Sequence, residues 1–214
     1  MISTNSLQVP ILHKLRMFNP RLQLAVLASG TGTNFENIVK ATLSGQLTAD
    51  IRVLIVNNPS SPAILKAKKY SIDSIIINHN DFKSRLSFDQ EIINHLEPYN
   101  VEGLLMAGWM RIVSNNLISK YPERIVNIHP SLLPSFPGIN SIKRSIDSGC
   151  KITGCSVHLV VPEVDSGKIL IQSAVAIDEY DDEVSLRKKI QIEEHKIFPI
   201  GISIAAEAWR LPRG

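Results

Sequence analysis

The sequence lacks the features that mark several protein classes. It has only two cysteines, Cys150 and Cys155, too few ligands for a zinc site and too few bridges for a disulfide scaffold. No apolar run approaches the ~20 residues that span a bilayer. The N-terminus also lacks the basic head and apolar core of a signal peptide. We therefore expect a cytoplasmic protein with reduced thiols and no metal.

An excess of one charge is also missing. The 23 lysines and arginines stand against 20 acidic residues, a formal net charge of +3. Nucleic-acid-binding proteins usually concentrate basic residues on one face, whereas here they are scattered. We expect small-molecule substrates as partners, with no nucleic acid and no membrane. The chain could act as a monomer or as a homodimer.

From residue 22 onward, short apolar runs alternate with helical patterns. Parallel strands are predicted at residues 22–28, 51–56, 74–77, 101–107 and 124–128. This alternation predicts a single-domain α/β fold, Rossmann-like, with a mostly parallel sheet and helices on both faces. Residues 1–20 are interpreted as an N-terminal extension without an assigned role, and residues 21–214 as the single domain.

The C-terminal part of the sequence has a different pattern. Residues 153–161 and 168–177 predict two longer strands that extend the sheet in antiparallel fashion. Residues 184–208 predict a C-terminal helix. On this helix Gln191 and Glu194 are three residues apart, so they share a face and could bind hydroxyl groups together. A solvated helix face is the alternative.

A turn with two glycines, SGTGTN at residues 29–34, follows the first predicted strand. In such sheets ligands bind outside the carboxyl ends of the strands, and the start of the next helix favours an anion such as phosphate. We expect Thr33 and Asn34 to cap that helix. The turn has Phe35 where the dinucleotide fingerprint has its third glycine, and it lacks the lysine of a P-loop. A phosphate site is predicted, with an unliganded turn as the alternative.

The most informative polar residues lie in NIHPSLLPSFPG, residues 127–138. Asn127 and His129 are two residues apart at the end of a strand, so both side chains lie on one face while Ile128 faces the core. An amide and an imidazole that converge suit a carbonyl whose oxygen becomes negative during a reaction. The prolines stiffen the loop that follows. A capped strand end beside a surface loop is the alternative.

Two further polar residues allow more than one interpretation. Asp165 lies in a turn between the two late strands, where aspartate is common. The alternative is an anionic partner that raises the pKa of His129 and relays a proton. His158 lies within a strand, and its position is more typical of a packed core histidine than of a catalytic one.

The motifs SGTGTN, NIHPSLLPSFPG and VDSGKILIQ together resemble those of the phosphoribosylglycinamide formyltransferases, from about Leu22 to the end of the last helix. The resemblance implies transfer of a formyl group from the co-substrate 10-formyltetrahydrofolate to the amine of 5'-phosphoribosylglycinamide, in purine biosynthesis. Residues 21–214 would then be the formyltransferase catalytic domain. A cis peptide at Leu133–Pro134 is also implied. Many relatives carry histidine where this chain has Asn140-Ser141-Ile142.

The resemblance implies roles for three groups of residues. The catalytic group would be Asn127, His129 and Asp165, with Asn127 and protonated His129 stabilising the oxyanion and Asp165 assisting proton transfer to the departing folate nitrogen. The substrate's phosphate, ribose and glycinamide would bind to Gly32, Thr33, Asn34, Gln191 and Glu194. The folate pocket would be lined by Arg85, Met110, Arg111, Ile112, Val113, Asn127, Val161 and Asp165.

Three alternatives are weighed against this interpretation. A formyltetrahydrofolate hydrolase shares the Asn-His-Asp chemistry, but it normally carries an N-terminal regulatory domain and has little use for a phosphate turn. A methionyl-tRNA formyltransferase adds a C-terminal tRNA-binding domain, which we do not expect here. A non-catalytic nucleotide-binding module would use the glycine turn and leave Asn127, His129 and Asp165 unexplained.

Overall fold

The computed structural model describes residues 7–10 and 15–211, and within these residues eight strands form one sheet. The strands are β1 (Leu7–Val9), β2 (Leu22–Ala28), β3 (Ala49–Val56), β4 (Asp73–Ile76), β5 (Gly103–Met106), β6 (Ile125–His129), β7 (Ile152–Leu159) and β8 (Ile169–Ala176). The helices are α1 (Thr33–Leu43), α2 (Ala63–Lys69), α3 (Arg85–Leu96), α4 (Asn115–Lys120), α5 (Ser141–Asp147) and α6 (Glu183–Trp209).

The strand order across the sheet is β1-β8-β7-β6-β5-β2-β3-β4. The pairs among β2 to β6 are parallel, whereas β6–β7, β7–β8 and β8–β1 are antiparallel. The predicted α/β fold with an antiparallel extension is therefore confirmed. The chain leaves β2 on one side for β3 and later returns on the other side for β5. Such a switch in strand order opens a crevice at the carboxyl ends of the strands.

Side chains along the central strands point alternately to the two faces of the sheet, so the core has two layers. In β2, Leu24 and Val26 pack in the cluster that holds the apolar residues of α1, α2, α5 and α6. Ala25 and Leu27 pack in the cluster that holds those of α3 and α4. Because both faces are covered, β2 is a continuous apolar run, as expected for a buried parallel strand.

Strand β1 lies in the segment interpreted as an N-terminal extension, where no strand was predicted. It pairs with β8 in antiparallel register, with Leu7 opposite Ala174 and Val9 opposite Gln172. Phe18 is 5% exposed and belongs to the core. Residues 1–6 and 11–14 lie outside the described residues. The described parts of the extension are thus packed onto the domain.

Two short helices, α4 and α5, were also not predicted. They have 6 and 7 residues, fewer than two full turns of helical periodicity, so their apolar pattern is too short to be recognised.

Within the described part of the chain, no helix is both long and apolar enough to cross a membrane.

Candidate active site

A cavity of about 700 Å³ opens at the carboxyl ends of β2, β5 and β6. The loops after β2, β5, β6 and β7 and the helix α6 all contribute to its lining. Its polar residues include Thr31, Asn34, Asn127, His129, His158, Asp165, Gln191 and Glu194. The position is the one at which open α/β sheets bind ligands, and the volume suits a small molecule.

Asp165 accepts hydrogen bonds from several groups in this cavity. The ring nitrogen Nδ1 of His129 lies 3.2 Å from Oδ2, and the N–H of Gly138 donates to the same oxygen at 2.7 Å. Asn127 Nδ2 donates to Oδ1 at 3.4 Å. The structure thus brings together the three residues for which the resemblance implies catalysis.

The contacts of Asp165 keep its carboxylate charged. Burial by itself raises the pKa of Asp165, but hydrogen bonds from His158 and the Gly138 N–H, together with the nearby His129, outweigh burial and lower the pKa below its ordinary value. An aspartate with a lowered pKa is ionised at neutral pH. Asp165 also has a φ of +52°, a left-handed conformation that aspartate tolerates better than most residues.

His129 faces an acceptor at each ring nitrogen. Asp165 lies at Nδ1, and the carbonyl oxygen of Phe136 lies 3.0 Å from Nε2. Only a protonated ring can donate to both acceptors. Burial nevertheless lowers the pKa of His129, and together with the smaller effects of His158 and Arg144 it outweighs Asp165 and the Phe136 carbonyl, which raise the pKa. Asp165 thus raises the pKa of His129, as predicted, but the net shift is downward because the side chain is only 8% exposed and desolvation is the largest effect.

His158 also belongs to this cluster, although its sequence position indicated a packed core histidine. It lies directly opposite Asn127 in the pairing of β6 with β7. Its Nε2 lies 3.0 Å from Asn127 Nδ2 and 3.4 Å from Asp165 Oδ1. Its Nδ1 lies 2.8 Å from the Leu159 carbonyl, which can only accept, so Nδ1 carries a proton. The register of β6 and β7, which creates these contacts, could not be derived from the sequence.

The glycine turn is joined to α6 by two side-chain hydrogen bonds. Gln191 Nε2 donates to Thr33 Oγ1 at 2.7 Å, and Asn34 Nδ2 donates to Glu194 Oε2 at 2.9 Å. Helix α1 begins at Thr33 with Gly32 as its N-cap, and no side chain of the described residues caps it. The prediction that Thr33 and Asn34 cap the helix is therefore wrong, because their side chains bind to α6 instead.

Gly32 is needed for the close approach of α1 and α2. Its φ is +69°, and a Cβ at this position would lie 2.6 Å from the Cβ of Ala63. Both observations require glycine. Because the first N–H groups of a helix have no acceptor within the helix, the turn offers donors and a positive dipole end to an anion.

Glu194 is a buried carboxyl group at the same end of the cavity. Burial raises its pKa to about 7, although the hydrogen bond from Asn34 and the charge of Arg187 lower it. At neutral pH a large fraction of Glu194 is therefore protonated. The Asn34 Oδ1 atom is buried and has no hydrogen-bond partner among the described residues. It is an acceptor available to a donor bound in the cavity.

The loops after β5 and β7 provide the apolar part of the cavity. The resemblance assigns five residues of these loops to the folate pocket, and all five line the cavity: Met110, Arg111, Ile112, Val113 and Val161. Arg85 instead lines an adjoining pocket of about 450 Å³, which shares Val113 and Pro162 with the main cavity.

The loop after β6 has the backbone conformation that the resemblance implies. The Leu133–Pro134 peptide is cis, so that prediction is confirmed. The divergent residues Asn140, Ser141 and Ile142 line the cavity. Among the described residues, no cluster of His, Cys, Asp or Glu side chains has the arrangement of a metal site.

Comparison with known proteins establishes the family. Residues 22–202 match the formyl transferase family. The chain belongs to this family. The formyl transferase is similar to the phosphoribosylglycinamide formyltransferase of Bacillus subtilis, with 36% identity over 177 residues, which cover 83% of this chain and 91% of that protein.

Two further comparisons describe its relatives. The formyl transferase is 37% identical over 186 residues, or 87% of the chain, to the trifunctional purine biosynthetic protein adenosine-3 of Homo sapiens, of which these residues cover only 18%. Glycinamide ribonucleotide transformylase 1 from Symbiobacterium toebii has a similar structure, with a TM-score of 0.86 at 34% identity, covering 91% of this chain and 92% of that chain.

Proposed function

We propose that this formyl transferase moves the formyl group of 10-formyltetrahydrofolate to the amine of 5'-phosphoribosylglycinamide. The products are N-formyl-phosphoribosylglycinamide and tetrahydrofolate, a step of de novo purine biosynthesis in the cytoplasm. One observation carries the proposal: a single cavity is lined both by the Asn127, His129 and Asp165 cluster and by Thr31 and Asn34 of the glycine turn, which is joined to α6. The names of relatives such as the phosphoribosylglycinamide formyltransferase of Bacillus subtilis support phosphoribosylglycinamide as the substrate that accepts the formyl group. Residues 21–214 would form the catalytic domain.

The two polar side chains at the end of β6 would act on the formyl oxygen. Attack of the amine on the formyl carbon gives a tetrahedral intermediate with a negative oxygen, which Asn127 and His129 stabilise. Both ring nitrogens of His129 face protein acceptors. If the formyl oxygen takes the place of the Phe136 carbonyl at Nε2, the contact with Asp165 stays intact. The developing negative charge then favours the protonated ring.

Asp165 would serve the proton transfers. The amine forms a bond to the formyl carbon and loses a proton, while the bond from that carbon to the folate nitrogen breaks and this nitrogen gains a proton. The carboxylate of Asp165 is ionised and lies within hydrogen-bond distance of His129, so it can stabilise the charged ring and relay a proton through water. The proton that leaves the amine balances the proton that reaches the folate.

The remaining contacts would hold the two substrates. The phosphate would bind at Gly32, Thr33 and Asn34, where the first N–H groups of α1 are available. Gln191 and Glu194 would bind the ribose and glycinamide. The folate ring system would lie against the apolar residues of the loops after β5 and β7, and the cationic Arg85 in the adjoining pocket would attract its carboxylate.

An assay with 10-formyltetrahydrofolate, with and without phosphoribosylglycinamide, tests the function. We expect formyl transfer that depends on the amine, and His129→Ala should lower turnover by ~10²-fold or more because an oxyanion donor is lost. The control is His95→Ala, an exposed histidine on α3 paired with Glu91. Folate consumption that ignores the amine would identify a hydrolase. Binding of phosphoribosylglycinamide without any turnover would identify a binding module.

A further inference from the structure

A row of polar side chains runs across three strands from the catalytic cluster toward the edge of the sheet. His129 on β6 is opposite Ser156 on β7, and Ser156 is opposite Gln172 on β8. Directly opposed residues of antiparallel strands project from the same face. His129, Ser156 and Gln172 therefore lie side by side on one face of the sheet, beneath the loop of residues 131–136.

Ser156 and Gln172 hold both backbone groups of Leu133 in that loop. The Ser156 hydroxyl accepts from the Leu133 N–H at 3.0 Å and from Gln172 Nε2 at 2.8 Å, and it donates to the Ser131 carbonyl at 2.7 Å. A hydroxyl has one donor and two acceptor positions, so all three hydrogen-bonding positions of the Ser156 hydroxyl are occupied. Gln172 Nε2 also donates to the Leu133 carbonyl at 2.9 Å.

The same loop ends at the carbonyl that meets His129. Ser131 Oγ donates to the Ser135 carbonyl at 2.6 Å and lies 3.4 Å from the Phe136 carbonyl. That Phe136 carbonyl is the acceptor 3.0 Å from His129 Nε2. Phe136 has a φ of +54°, a conformation that costs free energy for a bulky residue and therefore needs support from its surroundings.

We propose that Gln172 is a positioning residue that acts through Ser156 and the 131–136 loop to fix the direction of the His129 ring. Gln172 lies outside the set of residues that line the cavity, so it acts on the reaction through the loop rather than on a substrate. The catalytic meaning of this role depends on the proposed function, because His129 is the group that meets the formyl oxygen there.

The variant Gln172→Met tests the role, since methionine keeps the side-chain length and removes both hydrogen bonds. We expect kcat to fall about 10-fold, because small displacements of a reacting group are costly, while the KM values of both substrates stay within about 2-fold. The pKa of His129, followed by NMR of the ring protons, should fall below that of the wild type as the Phe136 carbonyl loses its fixed position. Gln172 is only half-buried, so the variant is expected to fold.

Thr153→Val is the matched control. Thr153 lies on β7 like Ser156, and its hydroxyl is buried without a hydrogen-bond partner in the described part of the chain. Its kcat should remain within about 2-fold of the wild type, whereas Ser156→Ala should resemble Gln172→Met. The double variant should lose little more than either single variant, since residues that act as a unit are not additive.

The proposal is overturned if folded Gln172→Met keeps the wild-type kcat and His129 titration, or if Thr153→Val loses as much activity. The NMR titration needs no substrate. A wild-type chain without formyl transfer, but with a His129 titration that depends on Gln172, would refute the proposed function and keep the positioning role.

Discussion

Asp165, which is partly buried, and Glu194, which is buried, are two carboxyl groups on the wall of one cavity, and their pKa values shift in opposite directions. Asp165 has hydrogen bonds from His158 and the Gly138 N–H and lies beside His129, and its pKa falls below the ordinary value. Glu194 has one side-chain hydrogen bond, from Asn34, and its pKa rises to about 7. Burial raises both, so the number of donors around each group decides which one stays charged.

The opposite pKa shifts match the roles proposed for Asp165 and Glu194 at the two ends of the cavity. A charged Asp165 can support a cationic His129 and carry protons. Glu194 lies next to a turn suited to phosphate, where a carboxyl group that is often neutral repels an anion less than a fixed negative charge would. Pairs of titratable groups whose environments separate their pKa values are a common device of active sites.

Removing the charge at Asp165 should have the largest effect. Asp165→Asn keeps the size of the side chain but cannot support a protonated His129 or accept a proton, so kcat should fall about 10³-fold. Steady-state kinetics give the value, and thermal unfolding shows whether the variant is folded. Activity within about 10-fold of the wild type would remove Asp165 from the catalytic group.

Glu194→Gln should have an intermediate effect, on stability rather than on chemistry. Between pH 4.5 and about 7 the folded wild type binds a proton that the unfolded chain has released, so its stability falls as the pH rises through this window. Glutamine is neutral at every pH, so the variant avoids the free-energy cost of ionising a buried carboxyl group. At 1.36 kcal/mol per pKa unit, the variant should be about 3 kcal/mol more stable than the wild type at pH 8. At pH 5 the variant should be more stable by less than about 1 kcal/mol.

Denaturant unfolding at the two pH values measures this difference. Glu207→Gln, at an exposed glutamate on the same helix, is the control and should not change the pH dependence. A gain of equal size at pH 5 and pH 8 would show that the effect does not arise from the protonation of Glu194.

Gln191→Ala should have the smallest effect. It removes the hydrogen bond to Thr33 Oγ1 and a contact to the phosphorylated substrate, so the KM for phosphoribosylglycinamide should rise about 10-fold, the value of one hydrogen bond. The KM for the folate and kcat should stay near wild type. Equal changes in both KM values would mean that α6 supports the whole cavity and not the phosphate end alone.

The features that depend on local periodicity could be predicted from the sequence. The alternation of apolar runs and helical patterns was enough to predict the parallel sheet. The two-residue spacing of Asn127 and His129 was enough to place both side chains on one face. The three-residue spacing of Gln191 and Glu194 on α6 likewise predicted that they point the same way, and both line the cavity.

Features that depend on distant pairing could not be predicted. Gln191 meets Thr33 at a separation of 158 residues, and Asn34 meets Glu194 at 160, which no local pattern encodes. The contact of His158 with Asn127 depends on the register of β6 and β7, which are joined by a long loop and α5. The net pKa shift of His129 depends on its burial, which requires the folded structure.

Strand β1 has a consequence for how this chain behaves among its own copies. Without it, β8 would be the last strand, and its eight residues would offer a long row of unpaired N–H and C=O groups. The three residues of β1 cover the middle of that row, and Pro10, which has no N–H, follows at once. A short edge strand that ends in proline is a poor template for pairing with a strand of another chain. Chains shortened to begin after residue 10 should therefore associate edge to edge more readily in concentrated solution.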